Sequence, residues 1–259
     1  MEVLLVDSTQ QEMVTRQFGS RAAEYVTSAV HSQGKDLKRM ADIASEISPK
    51  NALDLGCGGG HAAYAIAPNC EAVTAYDLSQ EMLEAVRGEA LRRGLANIET
   101  RRGAAEELPF RESAFDLIVC RLTAHHWSDF RAGIREARRV LKTGSRGVFI
   151  DVISPGVPVL DTALQTVEIL RDPSHVRDYS ASEWAEALNS ARFAIHRVTF
   201  DRLRMEFASW IARMQTPPVL SDAILALQRT FCDKVRTHFE IAEDGSFTID
   251  VAMIEVVAL

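Results

Sequence analysis

Cysteine is scarce and badly spaced for structural work: the 259-residue chain has four, Cys57, Cys70, Cys120 and Cys232, with no CxxC pair among them. That excludes a disulfide framework and leaves no zinc signature. Long apolar runs are missing too. Val3–Val6 puts only four apolar residues between Glu2 and Asp7, too few for the apolar region of a secretory signal. The longest stretch without a charged residue, Leu55 to Cys70, is interrupted by glycine, asparagine and proline, whereas a membrane-spanning helix needs about 18 apolar residues in a row. Positive charge is in deficit. The 29 basic and 36 acidic side chains leave a net −7, which argues against a general nucleic-acid binder. There is no internal repeat and no low-complexity tract. Together these absences predict a cytoplasmic protein with no membrane span and no nucleic-acid partner.

What the chain does have is apolar residues, 47% of the total, enough to exclude disorder and to bury a full core. Their pattern alternates between about residues 36 and 153. Leu37, Met40, Ala41, Ala44 and Ile47 keep helical spacing and Pro49 follows as a stop. Ala52–Leu55 and Ala72–Tyr76 read as strands, with a weaker one at Ile98–Arg101 and a strong one at Phe115–Cys120. Ser79 is an expected N-cap for a helix carrying Met82, Leu83, Val86 and Ala90 inward, closed by Gly94. Ile134, Ala137, Val140 and Leu141 mark another helix ended by Gly144, and Gly147–Ile153 is a fifth strand. Strand and helix alternating at this pitch predict a parallel sheet with helices on both faces. Beyond Pro155 the pattern changes. Leu160, Leu164 and Val167 suggest a helix, Ser182 caps another bearing Trp184 and Leu188, and Phe193–Phe200 is a strand. Leu227, Phe231, Val235 and Phe239 form an i, i+4 stripe, and Phe247–Val257 alternates as a final strand.

The most informative stretch is Asp54-Leu55-Gly56-Cys57-Gly58-Gly59-Gly60. A buried strand ending in glycines and opening a helix lets a ligand approach bare backbone and aims N–H groups at it. The same residues also suit a plain tight turn, and Gly58-x-Gly60-x-x-Ala63 satisfies the dinucleotide fingerprint. Asp77, just after the second strand, can accept hydrogen bonds from a ribose diol, or simply favour the following helix dipole. The pair points to a nucleoside-type cofactor at the carboxyl ends of the strands without saying which.

Four segments in order then decide between the candidates. Asp54-x-Gly56-x-Gly58-x-Gly60 resembles the first motif of class I S-adenosylmethionine-dependent methyltransferases. Tyr76-Asp77-Leu78-Ser79 with Met82 resembles their second motif, and Gly103–Phe110 resembles the GDAExLPF segment of the UbiE/BioC-like (methyltransferase type 11) branch. Phe115–Cys120 with His125-His126-Trp127, followed by Arg139-Val140-Leu141-Lys142-x-Gly144, resembles that branch's fourth-strand region. The resemblance covers about residues 15 to 153. It implies a Rossmann-like α/β fold: a seven-stranded, mostly parallel sheet with a reversed last strand, helices on both faces and a helical cap. Phe247–Val257 is the candidate for the reversed strand. The expected organisation is one domain over 1–259, with a lid helix in 1–35, a cofactor-binding core in 36–153, and sheet completion plus substrate cap in 154–259.

Residue roles follow from the same resemblance. Gly56, Cys57 and Gly58 would carry backbone beside the methionine part of S-adenosylmethionine, and of S-adenosylhomocysteine after transfer, with Gly60 also among the cofactor-binding residues. Asp54 would orient that loop or reach the amino group through water, and Asp77 would bind the ribose. Leu78 and Met82 would sandwich the adenine, with Ala104 and Ala105 along its edge. The family often has an acid at the Ala104 position, so that contact falls to backbone, water or Glu106. Cys120 and Arg121 would face the methyl-transfer crevice, although Cys120 suits a buried apolar role equally. Phe18 and Tyr25 resemble the branch's lid helix.

Methyl transfer from a sulfonium is an in-line displacement that asks for alignment, water exclusion and, where the acceptor carries a proton, a base. Alignment is worth roughly 7–11 kcal/mol in favourable systems. His125 and His126 are the candidate bases, the side chains of the motif region whose unperturbed pKa lies near neutrality; either also suits the following turn. No Asn/Asp-Pro-Pro-Tyr follows the fourth strand, which favours an oxygen or carbon acceptor in a small molecule. Phe207–Pro218 is the expected cap, with Trp210, Arg213 and Met214 in the acceptor pocket, and an amphipathic packing helix accounts for the same residues. The polar loop Pro173–Tyr179 has no assigned purpose. The expected assembly is a monomer or homodimer. Two competing functions are an NAD(P)-dependent reductase and a cofactor-binding regulatory protein without turnover.

Overall fold

The computed structural model describes residues 9–19 and 34–259. In chain order its elements are α1 (Gln10–Gly19), α2 (Lys35–Ile47), β1 (Asn51–Leu55), α3 (His61–Ile66), β2 (Ala72–Asp77), α4 (Gln80–Arg92), β3 (Ile98–Arg102), β4 (Phe115–Arg121), α5 (Phe130–Val140), β5 (Leu141–Val152), α6 (Pro158–Arg171), α7 (Ala181–Ser190), β6 (Phe193–Met205), α8 (Phe207–Met214), α9 (Pro218–Thr230), α10 (Asp233–His238) and β7 (Phe247–Ala258). The strands form one seven-stranded sheet in the order β3-β2-β1-β4-β5-β7-β6. Only β7 runs against the others: it pairs antiparallel with both β5 and β6, while β1 to β5 pair in parallel. The seven-stranded, mostly parallel sheet with a reversed last strand that the resemblance implies is therefore present.

Burial explains why these segments are strands. β1 is buried from Ala52 to Leu55, as a central parallel strand covered on both faces must be. Successive side chains go to opposite faces. Leu53, Ile118, Phe149 and Trp184 share one buried cluster, and Ala52, Leu117, Val148 and Met40 share the cluster on the other side. A third cluster, with Val152, Leu164, Trp210, Ile224 and Ile249, lies under α6, α8 and α9. Among the described residues no helix is long and apolar enough to cross a membrane.

Several local expectations change. The helix of Ile134, Ala137 and Val140 stops at Val140, not at Gly144. Leu141 already pairs with Phe115, and residues 142–145 bulge out before Arg146 meets Leu117, with Gly144 at φ 80 inside β5. The cap of α7 is Ser180 rather than Ser182, because Ser180 and Glu183 exchange hydrogen bonds in a capping box. The stripe from Leu227 to Phe239 is divided between α9 and α10. Ser79 does cap α4, accepting from the Met82 amide at 3.2 Å, and Met82, Leu83, Val86 and Ala90 are its buried face.

The order 3-2-1-4-5 reverses direction between β1 and β4. Ligands of open α/β sheets bind in the crevice outside the carboxyl ends of such neighbouring strands. That is where the glycine loop lies.

Candidate active site

Leaving β1, the Gly56 and Cys57 amides both donate to the Tyr76 carbonyl at the end of β2, at 2.8 and 2.9 Å. Gly56 sits at φ 71, and a Cβ there would come within 2.3 Å of the Thr123 hydroxyl. The turn therefore needs glycine both for its left-handed backbone and for the close approach of the loop after β4. Gly60, at φ 79, caps α3 and lies against the Tyr64 ring. It holds the turn without lining the cavity.

Asp54 is buried, and its Oδ2 accepts the Ala63 amide of α3 at 2.8 Å. Its Oδ1 is buried with no hydrogen-bond partner among the described residues. Burial pushes the Asp54 pKa up to about 7, with the neighbouring Asp77 charge adding to it and the Ala63 amide opposing it. Asp77 accepts the Gly58 amide at 2.8 Å through Oδ2 and the Ser79 amide at 3.0 Å through Oδ1. Burial raises its pKa as well, against these backbone bonds.

Asp54, Gly56, Cys57, Gly58, Asp77, Leu78, Met82, Ala105 and Glu106 line one cavity. Glu106 is tied to the turn after the double histidine, accepting from the Ser128 amide and hydroxyl at 2.8 Å each. Ala104 is not on this wall; its carbonyl takes the Tyr76 hydroxyl at 3.1 Å. Cys120 lines neither this cavity nor its neighbour. It is 1% exposed within the core cluster, and burial holds its thiol well above the ordinary range. The expectation that it faces the crevice gives way to the apolar role, because strand alternation turns it into the sheet's packed face. The Cys57 thiol is likewise held protonated by burial and the two aspartates.

α1 closes this cavity with Gln10, Gln11, Val14 and Phe18. The Gln10 side-chain amide donates to the Ser174 carbonyl at 2.6 Å and the His126 carbonyl at 3.2 Å. The Phe18 ring stands edge-on to His126, 4.9 Å between centroids. Tyr25 lies outside the described residues.

A second cavity of about 530 Å³ opens beside the first and is lined by His125, Trp210, Arg213 and Met214 among others. That is within the range of small-molecule sites. The two share Phe18, Arg121, Leu122 and His126 on their walls. At this junction Arg121 pairs with Asp36 at 2.5 Å, and Leu122 takes φ 54, a strained backbone for a branched side chain.

The histidines differ sharply. His125 Nδ1 lies 2.6 Å from Asp151 Oδ1, and the Asp151 carboxylate also takes the Ala124 amide. Burial opposes charge on His125, but Asp151 outweighs it and lifts the pKa to about 9. His126 Nδ1 lies 3.0 Å from the Ser174 carbonyl. Burial, with the charge on His125, lowers its pKa to about 4. A carbonyl only accepts, so His126 carries its proton on Nδ1 and keeps a lone pair on Nε2.

Sequence reasoning missed Gln10, Leu122, Asp151, Ser174, Glu168 and Asp178. Only the polar loop Pro173–Tyr179 signalled some of them.

The comparisons with known proteins bear on this geometry. A family model described as a methyltransferase domain matches residues 53–149. The uncharacterized methyltransferase YcgJ of Bacillus subtilis is 36% identical over 222 residues, covering 86% of this chain and 88% of the relative. The chain belongs to the methyltransferase family. The crystal structure of YcgJ superposes on this methyltransferase with a TM-score of 0.82 at 34% identity, covering 86% of this chain and 97% of that one. The uncharacterized protein YafE of Escherichia coli is 48% identical over 200 residues, 77% of the methyltransferase and 97% of the relative. A demethylmenaquinone methyltransferase of Thermotoga maritima is 35% identical over 121 residues, 46% of the methyltransferase and 50% of that protein, in keeping with the UbiE-like branch. The glycine loop of β1 falls within the matched domain.

Proposed function

We propose that the protein transfers a methyl group from S-adenosylmethionine to an oxygen or carbon atom of a small molecule. The observation that carries the reading is the pair of cavities meeting at Phe18, Arg121, Leu122 and His126, one of them walled by the glycine loop and Asp77. The residues fit the methyl donor. Asp54 offers a buried oxygen in need of a donor, which suits an amino group directly or through water. Asp77 has lone pairs left for a ribose diol after taking two amides. Leu78 and Met82 supply apolar faces for a base. Bound there, S-adenosylmethionine supplies an electrophilic methyl group on a sulfonium.

The chain's own part is alignment and proton handling. Phe18 and α1 cover the junction and exclude water. His126, neutral across the physiological range, is held by the Ser174 carbonyl with its Nε2 lone pair ready to take a proton from an acceptor hydroxyl or acidic carbon. A positioned base of this kind contributes about 10²–10⁴-fold. His125, charged against Asp151, is a fixed cation and not the base. Trp210, Arg213 and Met214 shape the acceptor end. The reading includes a cytoplasmic monomer or homodimer acting as one domain without a nucleic-acid partner, in keeping with the acidic balance and four unbridged cysteines.

Calorimetry decides the donor: heat with S-adenosylhomocysteine and none with NADPH is expected, and the reverse sinks the proposal. Asp77→Ala weakens that binding at least tenfold. His126→Ala leaves S-adenosylhomocysteine affinity intact and lowers methyl incorporation into a metabolite pool at least tenfold; unchanged turnover removes its role.

A further inference from the structure

The acceptor cavity ends on the loop Pro173–Tyr179, and there the polar chemistry is left incomplete. Asp178 is 1% exposed yet lies on the cavity wall. Its Oδ2 is buried without a hydrogen-bond partner among the described residues. A buried carboxyl group in that condition is unfavourable unless something supplies hydrogen-bond partners or a countercharge.

The surrounding cations are committed elsewhere. His175 Nε2 stands 3.9 Å from Asp178 Oδ2 but lies 3.0 Å from Gln165 Oε1. The Gln165 side-chain amide is oriented by its own donation to Asp161 at 3.0 Å and to the Asp178 carbonyl at 2.8 Å. His175 therefore gives its Nε2 proton to Gln165, and burial keeps the ring neutral. Arg177 pairs with Asp161 at 3.1 Å and Glu183 at 3.2 Å. His125 is held by Asp151. Arg171 lies 3.5 Å from Glu168, donates to the Trp210 carbonyl at 3.0 Å and covers the Trp210 ring at 4.8 Å. Glu168 is itself 7% exposed and shares the cavity wall with Asp178. Burial, then the charge of Glu168, pushes the Asp178 carboxyl well above its usual range.

We propose that Asp178, with Glu168 beside it, is the binding site for an ammonium group on the methyl acceptor, remote from the atom that is methylated. The inference rests on reading this cavity as the acceptor site. An ammonium brings three N–H donors and the positive charge that relieves both carboxyls. A neutral hydroxyl satisfies one oxygen and compensates no charge, and an anion is repelled. Trp210, Met205, Met214, Val152 and Ile249 give the same cavity an apolar wall beside the charged Arg171, Asp172 and Arg213, so the acceptor carries an apolar part as well as the ammonium.

Three probes with one carbon skeleton test this: phenethylamine, 2-phenylethanol and phenylacetate, titrated calorimetrically into the full chain with and without saturating S-adenosylhomocysteine. The amine is expected to bind at least tenfold more tightly than the alcohol, with no heat from the acid. Asp178→Asn erases that preference, and Glu168→Gln reduces it, a second readout should the first variant fail to fold. Equal binding of amine and alcohol, tighter binding of the acid, silence from all three, or a preference that survives both substitutions overturns the proposal. Failure of S-adenosylhomocysteine to bind sinks the methyl-donor reading instead, since the amine preference is read with and without it.

Discussion

Asp54 holds one carboxylate oxygen on the Ala63 amide, keeps the other buried without a partner among the described residues, and lies on the wall of the glycine-loop cavity. Its place beside the glycine loop was legible in the sequence because the acid and the glycines after it belong to one local turn. Asp178, Glu168 and Gln10 were not, since each reaches the site from an element far away along the chain. Cys120 misled for a related reason: being the last buried residue of a strand does not say which face it takes. The buried Asp54 makes a testable link to pH. An acid whose pKa rises on folding, here to about 7 through burial first, stays protonated in the folded chain when the unfolded chain has lost its proton. A ligand amino group favours the ionised form. S-adenosylhomocysteine affinity should therefore rise as pH climbs from 6 to 8, with proton release visible as a buffer-dependent heat. Asp54→Asn should flatten that dependence; a wild-type affinity that is level across the range would refute the link.

Helix ends and strand lengths were read with less success than helix faces. The buried face of α4 was given residue by residue by its spacing, because 3.6-residue periodicity reports burial directly. The start of α7 was misplaced by two residues, although Ser180-Ala181-Ser182-Glu183 contains the S-x-x-E spacing of a capping box. The break between α9 and α10 falls at Phe231 and Cys232, where no glycine or proline marks it, so the i, i+4 stripe from Leu227 to Phe239 runs across it without a signal. The Ser180 cap is the element-scale prediction. Ser180 accepts the Glu183 amide at 3.3 Å and its own amide donates to Glu183 at 2.8 Å. Ser180→Ala should lower stability by about 1 kcal/mol, read as a shifted denaturant midpoint with an unchanged slope. Ser182→Ala should change it by much less, and equal effects would mean that the box does not hold α7.

At the scale of the molecule, alternation made the parallel core of the sheet legible, while the reversed β7 was expected from family resemblance together with its own alternation. What stayed hidden was how the C-terminal elements complete the second cavity, which depends on packing between α6, α8 and the sheet. That packing buries several titrating groups whose effects on stability oppose one another. Burial lowers His126 to about 4 and His175 to about 2, so between those values and 6.5 the unfolded chain binds more protons and these two groups add stability as pH rises. Asp54, raised to about 7, works the other way over part of the same interval. Above pH 7 the picture simplifies. His125 is opposed by burial but carried by Asp151 to about 9, against about 6.5 unfolded. Its contribution is full below 6.5 and drains away as pH rises toward 9. Between pH 7 and 8 His125 by itself keeps nearly one more proton in the folded chain than in the unfolded one, and Asp178, held above its usual range by burial and by Glu168, adds in the same direction. Stability should thus fall by about 1 kcal/mol over that unit, a drop of roughly 2–4 °C in Tm for a protein of this size. Staying at or below pH 8 keeps the buried thiols of Cys57 and Cys120 out of the comparison. His125→Gln, scanned beside the wild type, should lose most of that slope even if its Tm is lower throughout. A variant that keeps the full slope would show that the His125–Asp151 pair does not set the alkaline side of the stability curve.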